Sequence, residues 1–226
     1  MDRREFVLLS AFSVTILGFS ASKALAFSLP KIGGGGGGDW GSIVKNFKGG
    51  LVELSTQSGV VGEVIADLAE ALGLKQEAAI MRGEAKSISE KGDALGADDL
   101  DSFNAKSGST LALVNEKLAA GVKLDAEQKK KMAEAGAKYV PALFKGVKAA
   151  SQLSSVGSDA SGAGAPGITD GMDAFQAAID IPVLVPKAIS FVTNSVSAGQ
   201  KLTAIMREND IAVPDTSGLA SAMAGM

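Results

Sequence analysis

Aliphatic side chains return every three or four residues along most of this chain, the spacing of one face of an α-helix. Trp40, Ile43 with Val44, Phe47, Leu51 and Leu54 form a first stripe. Val61, Val64 with Ile65, Leu68 and Leu72 form a second, and Gly59 and Gly62 between them predict a break. Lys75 to Glu90 predicts a weaker helix facing inward through Met81, Ala85 and Ile88. Leu100, Phe103, Leu111, Val114 and Leu118 make a further stripe, opened by Asp98 and Asp99 and stopped at Gly121. Acids at a helix start and glycine at its end are what the dipole and backbone geometry favour.

The strongest pattern runs from Asp125 to Leu153, with Met132, Gly136, Tyr139, Val140, Leu143, Val147 and Ala150 on one face. Asp125 followed three residues later by Gln128 approximates a capping box. Glu127 to Lys131 and Glu134 to Lys138 stand in the favourable i,i+4 order on the outer face. Pro141 removes one backbone donor here and is expected to bend the axis. Residues 154–168, rich in Gly, Ser and Ala, read as a loop. Thr169 is placed to cap a short helix to Asp180, and Pro182 to Arg207 reads as a second long helix. Its inner face is Val185, Ile189, Val192, Val196, Gly199, Leu202 and Met206, with Leu184, Ala188 and Phe191 alongside. Val213-Pro214-Asp215 ends it, and residues 214–226 read as a loose tail. No segment alternates with period two, and the best strand candidate, Ile181 to Val185, is compromised by Pro182. The expected fold is therefore all-α: an antiparallel bundle of five to seven helices over residues 39–213, forming one domain.

The start of the chain is different in kind. Asp2-Arg3-Arg4-Glu5-Phe6 precedes an apolar run from Val7 to Ala21 and an Ala24-Leu25-Ala26 end, the pattern of a cleavable export signal over residues 1–26. Arg3-Arg4-x-Phe6 resembles the twin-arginine export motif over four positions, although Asp2 stands where Ser or Thr is usual. The expected location is the periplasm. Residues 27–38, ending in the six glycines Gly33 to Gly38, read as a disordered tether. What remains, roughly 200 residues, is enough for one domain with a true core. Its apolar runs are too broken to predict a transmembrane segment.

Composition narrows the chemistry. The chain has neither cysteine nor histidine, so thiol nucleophiles, disulfides and the usual zinc, copper and haem ligand are missing, as is the usual base near neutral pH. A net charge of −3 argues against nucleic acid as a partner. Gly162-Ala163-Gly164-Ala165-Pro166-Gly167 matches a dinucleotide-binding spacing, but no strand precedes it and Pro166 lacks an amide, so it reads as linker. Asp98, Asp99 and Asp101, and Asp67 with Glu70, read as helix-start and surface acids rather than as acid–base pairs. The methionines read as core filler, and Arg82 and Arg207 as partners in exposed ion pairs. No enzyme, metal or cofactor is expected.

Two functions fit an acatalytic bundle. One is a carrier of a hydrophobic small molecule or lipid, held where small and bulky residues meet on the two proline-containing helices: Tyr139, Leu143, Phe144, Val147, Val185, Ile189 and Phe191. The other is an adaptor that docks an amphipathic helix face on another cell-envelope protein.

Overall fold

The computed structural model describes residues 39–223. The export signal and glycine tether expected over residues 1–38, like residues 224–226, lie outside the described part. Within it are six α-helices and no strand: α1 Trp40–Ala71, α2 Lys75–Ser89, α3 Ala97–Ala119, α4 Ala126–Ala163, α5 Met172–Glu208 and α6 Ser217–Met223. Single 3₁₀ turns at Gly92–Ala94 and Ile168–Asp170 lie in the connections before α3 and α5.

α1 lies at the centre, packed most extensively on α4 and α2 and also touching α3 and α5. Asp39 caps it by accepting from the Ser42 amide at 3.1 Å. The break expected at Gly59 and Gly62 does not occur. Those glycines are where α2 and α3 come close instead: a Cβ on Gly59 would lie 2.6 Å from Ser89 Cβ, and one on Gly62 would lie 2.8 Å from Ala85 Cβ and 2.9 Å from Phe103 Cε2. Burying Val61, Val64 and Ile65 on both sides of the approach outweighs the roughly 1 kcal/mol that each helical glycine costs. Ser55 secures the same junction. Its buried hydroxyl donates to the Ile88 carbonyl at 2.7 Å and accepts from the Gly92 amide at 3.1 Å, satisfying groups that the end of α2 leaves free.

α4 runs antiparallel to both α1 and α5. Gln128, near its start, donates to the Ala71 carbonyl at the end of α1 (2.9 Å), while Leu153 lies over Gly50. The capping box forms as expected, Asp125 accepting from the Gln128 amide at 2.8 Å and Gln128 accepting from the Asp125 amide at 3.0 Å. Three boundaries differ from the sequence reading. α4 continues through most of the expected 154–168 loop to Ala163, because Val156, Gly157 and Ala163 are buried and Ser158 and Ser161 bond back to carbonyls one turn earlier. The expected helices at 169–180 and 182–207 are one helix, α5, capped by Gly171 rather than Thr169. Pro182 and Pro186 remain inside it because proline's fixed φ is helical and each removes only one donor, while Ile181, Leu184 and Val185 are held in the core. The expected loose tail from 214 folds back: Pro214 lies over Gly136, α6 buries Leu219, and Gly218 sits against Phe144.

Candidate functional site

The seven residues expected to line a ligand pocket all lie on α4 and α5, and they face different neighbours. Tyr139, Leu143, Val147, Val185 and Phe191 are buried, whereas Phe144 and Ile189 are half-buried. Tyr139 and Leu143 close over Gly199, whose absent Cβ would fall 2.7 Å from the tyrosine ring. The tyrosine hydroxyl donates to the Ser195 carbonyl at 3.3 Å, and burial pushes its phenol well above the usual range. Phe191 turns to α3 and meets Phe103 edge-on, ring centres 5.7 Å apart. Phe144 covers α6. The gap that Leu143 and Phe191 share with Leu54, Val61 and Val192 holds about 10 Å³, room for a single water at most.

The open space lies elsewhere. A cleft of about 360 Å³ separates the start of α1, the α2–α3 connection and the first half of α5. Val44, Phe47 and Leu51 from α1, Leu95 from the connection, and Ile179, Val183 and Leu184 from α5 supply its apolar wall. Its charged rim is Lys48, Asp93, Asp173 and Asp180. Lys48 bridges the cleft to Asp173 at 2.8 Å, and that carboxylate holds the ammonium above the usual lysine range. Asp180 accepts from Gln176 at 2.9 Å.

Beside the cleft stands an exposed apolar ridge. Ile168 is 95% exposed, Met172 82%, Phe175 40%, Ile179 65% and Val183 51%, and Pro186 one turn on is exposed as well. Steps of three and four residues place Met172, Phe175, Ile179, Val183 and Pro186 in a line along α5, opposite the face formed by Ala174, Ile181, Val185 and Ala188, while Ile168 lies before the helix in the 3₁₀ turn. α5 is therefore apolar on two faces over its first half. Among the described residues it is long and apolar enough by length and composition to cross a membrane, although only 39% of its most apolar window is buried in the bundle. The sequence predicts no such span because its apolar runs are broken; α5 is long and apolar enough despite the interruptions.

The chain matches no family model, no curated protein and no solved structure.

The remaining charged clusters serve the fold. Arg82 on α2 donates to Glu70 and, at 3.2 Å, to Asp67, both on α1; the Arg82 hydrogen bond holds the Glu70 carboxyl below its usual range. Lys131 pairs with Glu127 at 2.8 Å as expected, but Lys138 approaches Asp67 at 3.9 Å. Asp99 accepts from the Gly96 amide at 2.9 Å and pairs with Lys91, while Asp101 binds Lys187 on α5. These contacts join α1 to α2 and α4, and α3 to α5. The ridge was missed in the sequence for a specific reason: splitting the helix at Ile181–Pro182 hides the second apolar face, which shows only when residues 172–186 are placed on one helical wheel.

Proposed function

We propose that this chain is an acatalytic docking protein of the cell envelope, acting in the periplasm after export and binding a protein partner along the first half of α5. The observation that carries this reading is the line of exposed apolar residues along α5 from Met172 to Pro186. Soluble domains seldom leave a contiguous apolar strip of this kind uncovered, and such strips mark interaction surfaces. An amphipathic helix recognised through i, i+3, i+4 and i+7 anchors would fit a ridge with that spacing. Export rests on the charged start, the apolar run and the Ala-x-Ala end of residues 1–26.

A photo-crosslinking residue placed at Phe175 in cells making the full chain should give a discrete adduct. The same residue at Lys148, exposed on α4 away from the ridge, should give none, and adding Ile179→Asp should abolish the Phe175 product. Equal labelling from both positions, or none from either, would overturn the docking role.

A second reading draws on the cleft. Its volume of about 360 Å³ falls within the range of small-molecule sites, so the apolar ligand expected on the inner faces of α4 and α5 would sit instead between α1 and α5. Native mass spectrometry that releases a stoichiometric apolar compound, with no crosslinked partner, favours this reading over docking.

A further inference from the structure

We infer that the partner helix is basic as well as amphipathic, its apolar side seated on the α5 ridge and its lysines or arginines turned to the acidic cleft beside it. This rests on the docking role proposed above and adds the partner's chemistry. The first observation is charge. Three of the four charged side chains lining the cleft are carboxylates, Asp93, Asp173 and Asp180, against the one ammonium of Lys48, which already bridges to Asp173. Asp170 adds a further acid in the turn just before Met172, where it accepts from the Gly167 amide. A helix lying along Met172, Phe175, Ile179 and Val183 therefore has net negative charge beside it, which favours cations and disfavours acids there.

The second observation is geometric. Met172 to Pro186 is four helical turns, a rise of about 21 Å, and its three- and four-residue steps are those of a seam that accepts another helix. The same charges argue against two other occupants. A second copy of the chain seated ridge to ridge would bring Asp173 and Asp180 towards their own counterparts, and an anionic lipid surface would meet the same carboxylates.

The test uses the full purified chain and two matched synthetic helices of about five turns. Both carry leucine at alternating three- and four-residue steps; one has lysine at the flanking positions and the other glutamate. Fluorescence anisotropy should show the lysine peptide binding about tenfold or more tighter than the glutamate peptide, with the preference shrinking at high salt. Ile179→Asp should abolish lysine-peptide binding while leaving the circular dichroism spectrum unchanged. That variant adds negative charge, so its loss of binding separates ridge docking from unspecific attraction of cations. Asp93→Asn with Asp180→Asn should keep binding but reduce the preference to about threefold or less.

Equal affinity for the two peptides, with Ile179→Asp still abolishing both, would overturn the basic partner and leave the docking ridge standing. Lysine-peptide binding that survives Ile179→Asp would overturn the seat on the ridge. Binding of neither peptide, a concentration-dependent dimer that Ile179→Asp dissociates, or stronger binding to phosphatidylglycerol vesicles than to the lysine peptide would each overturn the inference.

Discussion

α1 and the first half of α5 are both rich in aliphatic residues, but the molecule treats them in opposite ways. α1 meets α2, α3, α4 and α5, so even some of its polar side chains are buried and paired. Ser55 ties down the end of α2, and the buried Ser58 donates to the Leu54 carbonyl at 2.8 Å. The first half of α5 has neighbours on one side only. Its inner residues Ala174, Ile181 and Val185 are packed, while Met172, Ile179 and Val183 on the far side face outward. Apolar content alone thus separates neither a core helix from a docking helix nor either from a membrane span. What separates them is how many partners the topology supplies.

The widest expected gap between the two regions is in side-chain truncation. Leu54 is fully buried where α1 meets α4 and α5, and Leu54→Ala should lower stability by about 2–5 kcal/mol through lost burial and the space left behind. Chemical denaturation should show the midpoint falling with the slope unchanged. A loss below about 1 kcal/mol would mean that α1 is less tightly enclosed than its contacts imply.

Adding atoms sharpens the same contrast. Gly62→Val puts a branched side chain where Ala85 and the Phe103 ring already stand within 3 Å, and should cost about 1–3 kcal/mol by overpacking, in spite of valine's better helix propensity. Gly83 on α2 has open space where its Cβ would be, so Gly83→Ala should stabilise by up to about 1 kcal/mol. Thermal melts of the two variants should therefore move in opposite directions.

That pair also shows where sequence reading stops. The inner faces of α1, α2, α3 and α4, and the capping box at Asp125, were legible because periodicity and capping are local properties. Gly59 and Gly62 were not, since a glycine that ends a helix and one that admits a neighbour look alike until Ser89 and Ala85 are seen opposite. The helix from Ser154 to Ala163 was hidden for a related reason: most of its residues, serines, glycines and Asp159, are poor helix formers, and the burial of Val156 and Gly157 that holds it is tertiary. α6 escaped notice because it is short and its docking, through Leu219 with Ala222 and Met223 against the core, is tertiary. At the candidate site, Tyr139, Leu143 and Phe191 were rightly placed on inner faces, but a period of 3.6 cannot tell a filled interior from a hollow one.

Smaller effects come from the ion pairs that fasten α2 to α1. Glu70 is held below its ordinary value by the Arg82 hydrogen bond, so the unfolded chain takes up its proton at higher pH than the folded one. The contribution is present above the unfolded pKa, about 4.3, and is lost as pH falls through the folded value. Glu70→Gln should accordingly flatten the acid side of the stability profile below about pH 4.5 and leave its neutral side little changed, an effect reduced by salt because the pair is exposed. An unchanged acid limb in urea titrations would assign the acid sensitivity to other carboxylates.

The smallest expected effect is the most informative about α5. Ile179→Ala removes the same kind of aliphatic mass as Leu54→Ala, but from a side chain that is 65% exposed, so little apolar surface returns to water. Alanine's better helix propensity offsets part of that loss, and stability should change by no more than about 0.5 kcal/mol. Any binding that uses the ridge should nevertheless weaken, because Ile179 lies midway between Met172 and Pro186. Stability and binding would then be carried by opposite faces of one helix. A destabilisation near that of Leu54→Ala would instead make Ile179 part of the core and remove the reason for treating the ridge as a docking surface.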